Sequence, residues 1–226
     1  TSSRSTFHMG NAVKMAADDA RRQLLDLAAP LLDREPEELT IRDSVIFAPG
    51  DEANGLSIAE VMKHHYGPSS TVLGRGFYIP NMPEGPTEYY TRNSIFWLLA
   101  AGGAEVEVNR RTGEVKVLKF WCAADVGKAI NPVSCEGQIE GGVSMGFGFA
   151  MMEDISFVNG QIMNPSFLGY KLPSAVDMPE VVPLLVECAH AEGPYGAKGM
   201  GETTNVPVPP AIANAIQHAV GVRLRD

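Results

Sequence analysis

Ala104-Glu-Val-Glu-Val108 and Glu114-Val-Lys-Val-Leu118 flank the loop Asn109-Arg-Arg-Thr-Gly113, and both runs alternate apolar with charged residues. A two-residue period belongs to a strand with one covered face, so the stretch predicts an antiparallel hairpin closed by a glycine-ended loop. Glu105 and Glu107 then face Lys116 or its neighbours, and the valines take the covered side. Downstream, Asn131-Pro132 has the form of an N-cap and first helical turn, which predicts a helix to about Ala150. That helix contains Gly137, Gly141, Gly142, Gly146 and Gly148. Each interior glycine costs roughly 1 kcal/mol relative to alanine, so the helix requires very close packing or a ligand against its face. Gln138 and Ser144 are its available polar groups. A last helix is expected over Pro210 to Val220, burying Ile212, Ala215, Ile216 and Ala219, with Gly221 at its C′ position.

Before the hairpin the pattern changes. Val13, Ala16, Ala20, Leu24, Leu27 and Leu31 recur at three- and four-residue steps, the stripe of an amphipathic helix from Gly10 to Leu32. Thr40 to Ala48 has the β-branched content of one strand, and Ser57-Ile-Ala-Glu60 matches a capping box opening a short helix to about Tyr66. Gly67 to Thr91, rich in Gly, Pro and Tyr, reads as a wrapping segment, with a strand expected within Thr71 to Ile79. Phe96-Trp97 reads as core. The organisation is α+β, with a first segment over 1–100 carrying the N-terminal helix and a second over 101–226 carrying the hairpin, the glycine-rich helix and a loop described below.

Composition sets limits on function. The 226 residues carry a net charge of −9, with a pI of about 5.1. No basic stripe is available to release counterions from a phosphate backbone, so nucleic acid is not an expected partner. No apolar run approaches the roughly 20 residues of a membrane span, and a cytoplasmic home is expected. Cys122, Cys135 and Cys188 are odd in number and widely spaced, which suits neither a disulfide framework nor a thiolate metal cluster. His64-His65 are adjacent on a helix and point about 100° apart, so they form no compact metal site unaided. Asp18-Asp19 and Glu35-Pro-Glu-Glu38 read as solvated acidic stretches.

The segment with the form of an active-site loop is Gly193-Pro-Tyr-Gly-Ala-Lys198-Gly-Met-Gly-Glu202. Gly193, Gly196, Gly199 and Gly201 permit close approach of main-chain N–H groups to a ligand, and Glu202 is a carboxylate at the tip. Such a group serves as a general base when its surroundings suit it, or is a solvated side chain on a surface turn.

Four segments in this order, Ser3-Arg-Ser-Thr-Phe-His-Met-Gly10, Asp125-Val-Gly-Lys-Ala-Ile-Asn-Pro132, Gly137-Gln-Ile-Glu-Gly-Gly142 and Gly196-Ala-Lys-Gly-Met-Gly-Glu202, resemble the molybdenum hydroxylases: the xanthine dehydrogenase, aldehyde oxidase and carbon monoxide dehydrogenase relatives. The resemblance covers almost the whole chain and matches the C-terminal half of their molybdopterin-binding region, which implies two interleaved α/β subdomains. It implies that Glu202 is the general base taking a proton from the metal-bound hydroxyl, whose oxygen then attacks an aldehyde or N-heteroaromatic carbon. It places Ser2, Ser3, Ser5 and Gln138 against the pterin, with Met200 and Gly201 beside the molybdenum. Protein side chains ligating the metal are not implied. The cofactor is molybdopterin, with the cytosine dinucleotide as one form of it. FAD and iron-sulfur clusters are expected on partner subunits or domains, because three isolated cysteines cannot ligate a cluster. The N-terminal half of the molybdenum-binding region is absent, so the chain is expected to work with that half, either as a separate chain or as the rest of a longer protein. An inactive structural domain of the same fold, or reductive dehydroxylation of an aromatic thioester by the same cofactor, stand as alternatives.

Overall fold

The computed structural model describes residues 4–80 and 95–224. The chain forms two compact units, one of residues 8–80 and one of residues 1–7 with 81–226.

In the first of these, α1 spans Gly10–Leu32, as its periodicity predicts. Its buried face differs from the predicted stripe: Leu25, Ala28 and Ala29 lie inside, while Val13 is 61% exposed. Only the C-terminal half of α1 meets the small core, where Ile46 and Val61 are fully buried. The N-terminal half instead carries an extended strap. A Cβ on Gly74 would stand 2.0 Å from the Ala16 carbonyl oxygen, and one on Gly76 would stand 2.3 Å from that of Ala12. The expected strand in Thr71 to Ile79 therefore does not form, because this backbone lies on a helix rather than against a sheet edge. The rest of the wrapping segment, from Asn81 to Thr91, falls outside the described residues.

Asp19, read from sequence as solvated, ties the strap down. Its carboxylate accepts from the Arg75 N–H at 3.0 Å and from Gln23 Nε2 at 2.8 Å, and Gln23 also donates to the Leu73 carbonyl. The single strand expected over Thr40 to Ala48 is a hairpin of β1 (Thr40–Arg42) and β2 (Val45–Phe47). Asp43 and Ser44 turn it with φ of 50° and 63°, the left-handed pair that a two-residue hairpin loop needs. A short β3 (Leu56–Ser57) pairs with β2 and leads into α2 (Ile58–Tyr66). Both bonds of its capping box are present, with Ser57 Oγ accepting from the Glu60 N–H and Glu60 Oε2 accepting from the Ser57 N–H.

The other unit holds the predicted hairpin. Its strands β4 (Ala100–Val108) and β5 (Val115–Asp125) pair Glu107 with Lys116 and Glu105 with Lys119, with a bulge after Glu105. Both strands run longer than the alternating segments, through apolar residues of β5 that are covered. Next come α3 (Pro132–Met151) and a short pair, β6 (Phe157–Val158) with β7 (Gln161–Ile162). The chain then returns as β8 (Glu180–Val186), parallel to β5. A parallel pair needs a long crossover, and the segment containing α3 supplies it. Pro183 obscures β8 in the sequence; it is tolerated because β8 is an edge strand in the order β4-β5-β8.

Two helices provide the cover. Ile139, Val143 and Phe147 of α3, with Val208, Ile212 and Ile216 of α4 (Val208–Val220), bury Phe120, Cys122 and Ala124 of β5. Burial pushes the Cys122 thiol up to about 11, so it is a protonated packing group. Asn131 caps α3, accepting from the Ser134 N–H at 3.0 Å, and Gly221 ends α4 with φ of 78°. Phe96 is 8% exposed and packs on Phe7, but Trp97 is 70% exposed, so only the first of that pair belongs to the core.

Candidate functional site

The glycine-rich loop lies across the ends of the two parallel strands. The backbone of Val126, just past β5, donates to the Val186 carbonyl at 3.0 Å and accepts from the Lys198 N–H at 3.0 Å; Lys128 N–H donates to the Gly196 carbonyl at 2.8 Å. Gly127 and Ala197 form an isolated bridge. Two conformations that side chains rarely adopt make the bend, with Tyr195 at φ 53° and Gly196 at φ 87°. A Cβ on Gly193 would stand 2.1 Å from the Ala197 carbonyl oxygen, so that glycine is a steric requirement of the loop's closure on itself.

Beneath the loop sits an ion pair between its own Lys198 and the last residue of β5. Lys198 Nζ lies 2.5 Å from Asp125 Oδ2, with the two side chains 11% and 9% exposed. The other carboxylate oxygen accepts from the Gly127 N–H at 3.0 Å. Burial raises the Asp125 carboxyl, but the Lys198 bond, the Gly127 and Cys188 N–H groups and the lysine charge outweigh it and hold the carboxyl below its ordinary range.

After Gly201 the chain turns through a 3-10 turn, Glu202–Asn205, against the glycine face of α3. Thr204 is fully buried. A Cβ on Gly142 would overlap Thr204 Oγ1, and one on Gly146 would stand 2.5 Å from Val208 Cβ and 2.8 Å from the Asn205 carbonyl oxygen. A Cβ on Gly148 would stand 2.9 Å from Pro173 Cδ, so three of the α3 glycines, Gly142, Gly146 and Gly148, have a packing reason. Gly137 and Gly141 do not, since a Cβ on either meets nothing within 4 Å.

Beside Gly137 a cavity of about 240 Å³ opens between the first turns of α3 and the loop. Thr6, Lys128, Ser134, Gln138, Lys198 and Met200 line it with apolar neighbours. It brings together Gln138 and Met200, two residues that the sequence singled out. Gly201 and Glu202 are not part of its lining; they follow Met200 directly, and Glu202 is exposed at the start of its turn. Ser5 is exposed in a π-helical turn, Ser5–Met9, and its neighbour Thr6 reaches the cavity instead. Ser2 and Ser3 lie outside the described residues. Sequence reasoning missed the Asp125–Lys198 pair and Thr204. The pair had a signal, a single acid and a single base in two glycine-bearing motifs, whereas Thr204 had none.

Cys135 also lines the cavity. Burial and the charges of Glu136 and Glu187 raise its thiol, which leaves it protonated and unreactive at neutral pH. Among the described residues no group of three or more His, Cys, Asp or Glu side chains is placed to hold a metal ion, and no helix is long and apolar enough to cross a membrane. In the cavity the amide of Gln138, which has no hydrogen bond to a described residue, and the Ser134 hydroxyl offer polar contacts to a ligand.

Comparison with known proteins agrees. Residues 1–179 match the family of the molybdopterin cofactor-binding domain. The chain is 33% identical to the nicotine 6-hydroxylase large subunit of Paenarthrobacter nicotinovorans, over 96% of its own length and 26% of that protein. It is 28% identical to the carbon monoxide dehydrogenase large chain of Hydrogenophaga pseudoflava, over 99% of its length and 28% of that protein. Its fold superposes on quinoline 2-oxidoreductase from Pseudomonas putida 86 with a TM-score of 0.81 and 26% identity, covering 99% of this chain and 28% of that one. The chain therefore spans about a quarter of the length of the relatives it matches. With four ordered motifs, a matched domain and a shared fold, the chain belongs to the molybdopterin cofactor-binding family of the molybdenum hydroxylases.

Proposed function

We propose that this chain forms one wall of the active site of a molybdopterin-dependent oxidoreductase that hydroxylates an aldehyde or N-heteroaromatic carbon with oxygen from water, and that Glu202 is its general base. The observation that carries the reading is the meeting of Gln138 and Met200 in one cavity, with Glu202 two residues beyond Met200 on a loop fixed to the ends of β5 and β8. Relatives named for nicotine and quinoline support the heteroaromatic class. Because the chain spans about a quarter of those relatives, turnover requires the rest of the molybdenum-binding region. Electron transfer onward is assigned to iron-sulfur and flavin subunits or domains.

In this reading Gln138, through its side-chain amide, holds the pterin, in simple or cytosine dinucleotide form; Ser5, exposed next to Thr6 of the cavity lining, joins it, as do Ser2 and Ser3. The backbone at Met200 and Gly201 lets the cofactor approach closely, since glycine offers no Cβ there. When bound, the molybdenum cofactor supplies oxygen transfer and accepts two electrons from the substrate. The Glu202 carboxylate would accept the proton released as oxygen is transferred to the substrate carbon. Met200 and the apolar wall of the cavity exclude water from the cofactor face.

Glu202→Gln keeps the shape and removes the base. In the holoenzyme purified with its partners, kcat should fall by about 10²- to 10⁴-fold while molybdenum per protein, measured by metal analysis, is unchanged. Near-normal turnover at full molybdenum loading sinks the assignment.

A further inference from the structure

The Glu202 side chain makes no hydrogen bond to any described residue and is exposed, so nothing on the side chain itself fixes where its carboxylate stands. Its position depends on the backbone just before it, where Gly199 is buried, Met200 packs partly on the core and the two glycines supply no side-chain anchor of their own. Two anchors bracket this span. After it, Thr204 is fully buried, with its hydroxyl 3.5 Å from the carbonyl oxygens of Gln138 and Gly201. Before it stands Lys198, bonded to Asp125 Oδ2 at 2.5 Å and to the Trp97 carbonyl at 3.3 Å.

We infer that the Asp125–Lys198 pair is a positioning device of the Glu202 tip, adding a side-chain tie from the last residue of the central strand to the main-chain bonds that hold Ala197 and Lys198. The inference rests on Glu202 being the base. Its geometry is specific: Asp125 pairs with Val186 in the strand register, so the carboxylate sits where both parallel strands end. Its Oδ1 is already committed to the Gly127 N–H, and Lys198 holds Oδ2. Three residues separate Lys198 from Glu202, and the four Cα-to-Cα steps reach no more than about 14 Å at full extension, so the anchor bounds the volume that the carboxylate can visit. Lys198 lies in the lining of the same cavity as Gln138 and Met200, which places the anchor next to the proposed cofactor contacts. A misplacement of about 1 Å at a reacting group can cost roughly 10²-fold in rate.

The test uses the full molybdenum-binding protein with its partners, carrying Lys198→Met, Asp125→Asn or both. Lys198→Met alone strands a nearly buried carboxylate and can fail to fold; the double variant removes both charges and keeps the question open. The double variant is expected to retain molybdenum and to lose about 10²-fold in kcat with little change in KM. Where the single variants fold, the double should be no worse than either, as for two residues acting as one unit. A second readout does not depend on turnover. In cofactor-free protein, amide exchange over 199–202 should quicken by about tenfold or more in the double variant, with β5 and α3 unchanged. Turnover within about twofold of the parent at full molybdenum content overturns the inference, as does loss of activity in proportion to loss of molybdenum, which would make the pair a device for retaining the cofactor. Failure of the underlying reading is separate: it is seen when Glu202→Gln, at full loading, turns over normally.

Discussion

The helices α1 and α3 are of similar length, 23 and 20 residues, and are built on opposite principles. Helix α1 is rich in alanine and leucine and reaches its core through side chains, Leu25, Ala28 and Ala29. Helix α3 carries five glycines and meets the 201–208 segment through its backbone, because at Gly142 and Gly146 there is no room for a Cβ. The first would be favoured by propensity alone; the second forms only because tertiary packing offsets what glycine costs. A helix of ordinary composition holds a scaffold, whereas a helix that gives up its own stability brings another backbone, here the one bearing Glu202, very close to its axis.

The sharpest way to break this contrast is at the side-chain helix. Leu25→Ala deletes a side chain that is 6% exposed, and should cost about 2–5 kcal/mol in denaturant unfolding of the 8–80 unit, while leaving the transition of the other unit in place. At the glycine helix the same change of chemistry runs in the opposite direction. Gly146→Ala adds a methyl that would press on Val208 Cβ and the Asn205 carbonyl. Overpacking of about 1–3 kcal/mol set against a gain of about 1 kcal/mol in helix propensity leaves a net loss of up to about 2 kcal/mol, read from denaturant midpoints. A stabilised Gly146→Ala protein would mean that the 201–208 segment is not held against α3.

What was legible in the sequence followed local periodicity and capping. The hairpin, the Ser57–Glu60 box, the Asn131 cap and the bounds of α1 are all set by residues a few positions apart. Features decided by distant partners were not legible. The buried face of α1 shifted because the Gly74–Gly76 strap occupies its first half. The Thr40–Ala48 hairpin is local but was missed for another reason: Asp43-Ser44 has no glycine to announce its left-handed φ. The edge strand β8 was hidden by Pro183, which only an edge position tolerates. At the site, composition pointed to the loop and the family resemblance to Gln138, while the anchors on either side of Glu202 come from Asp125, 73 residues away along the chain from Lys198, and from a threonine with no motif of its own.

The smallest expected effect separates the two causes that a glycine-rich helix can have. At Gly141 a methyl meets nothing within 4 Å, so packing in this chain gives no reason for glycine there. Gly141→Ala should raise the stability of the isolated chain by about 1 kcal/mol, measured by denaturant unfolding, since an open helical site gains the full difference in propensity. In the assembled enzyme the outcome turns on what covers that face. If the cofactor or the remainder of the molybdenum-binding region approaches Gly141 as closely as Thr204 approaches Gly142, the same methyl lowers molybdenum content or turnover while the chain alone becomes more stable. A gain in both settings would show that the open half of α3 is solvent-facing, and would confine the reason for its glycines to the 201–208 contact.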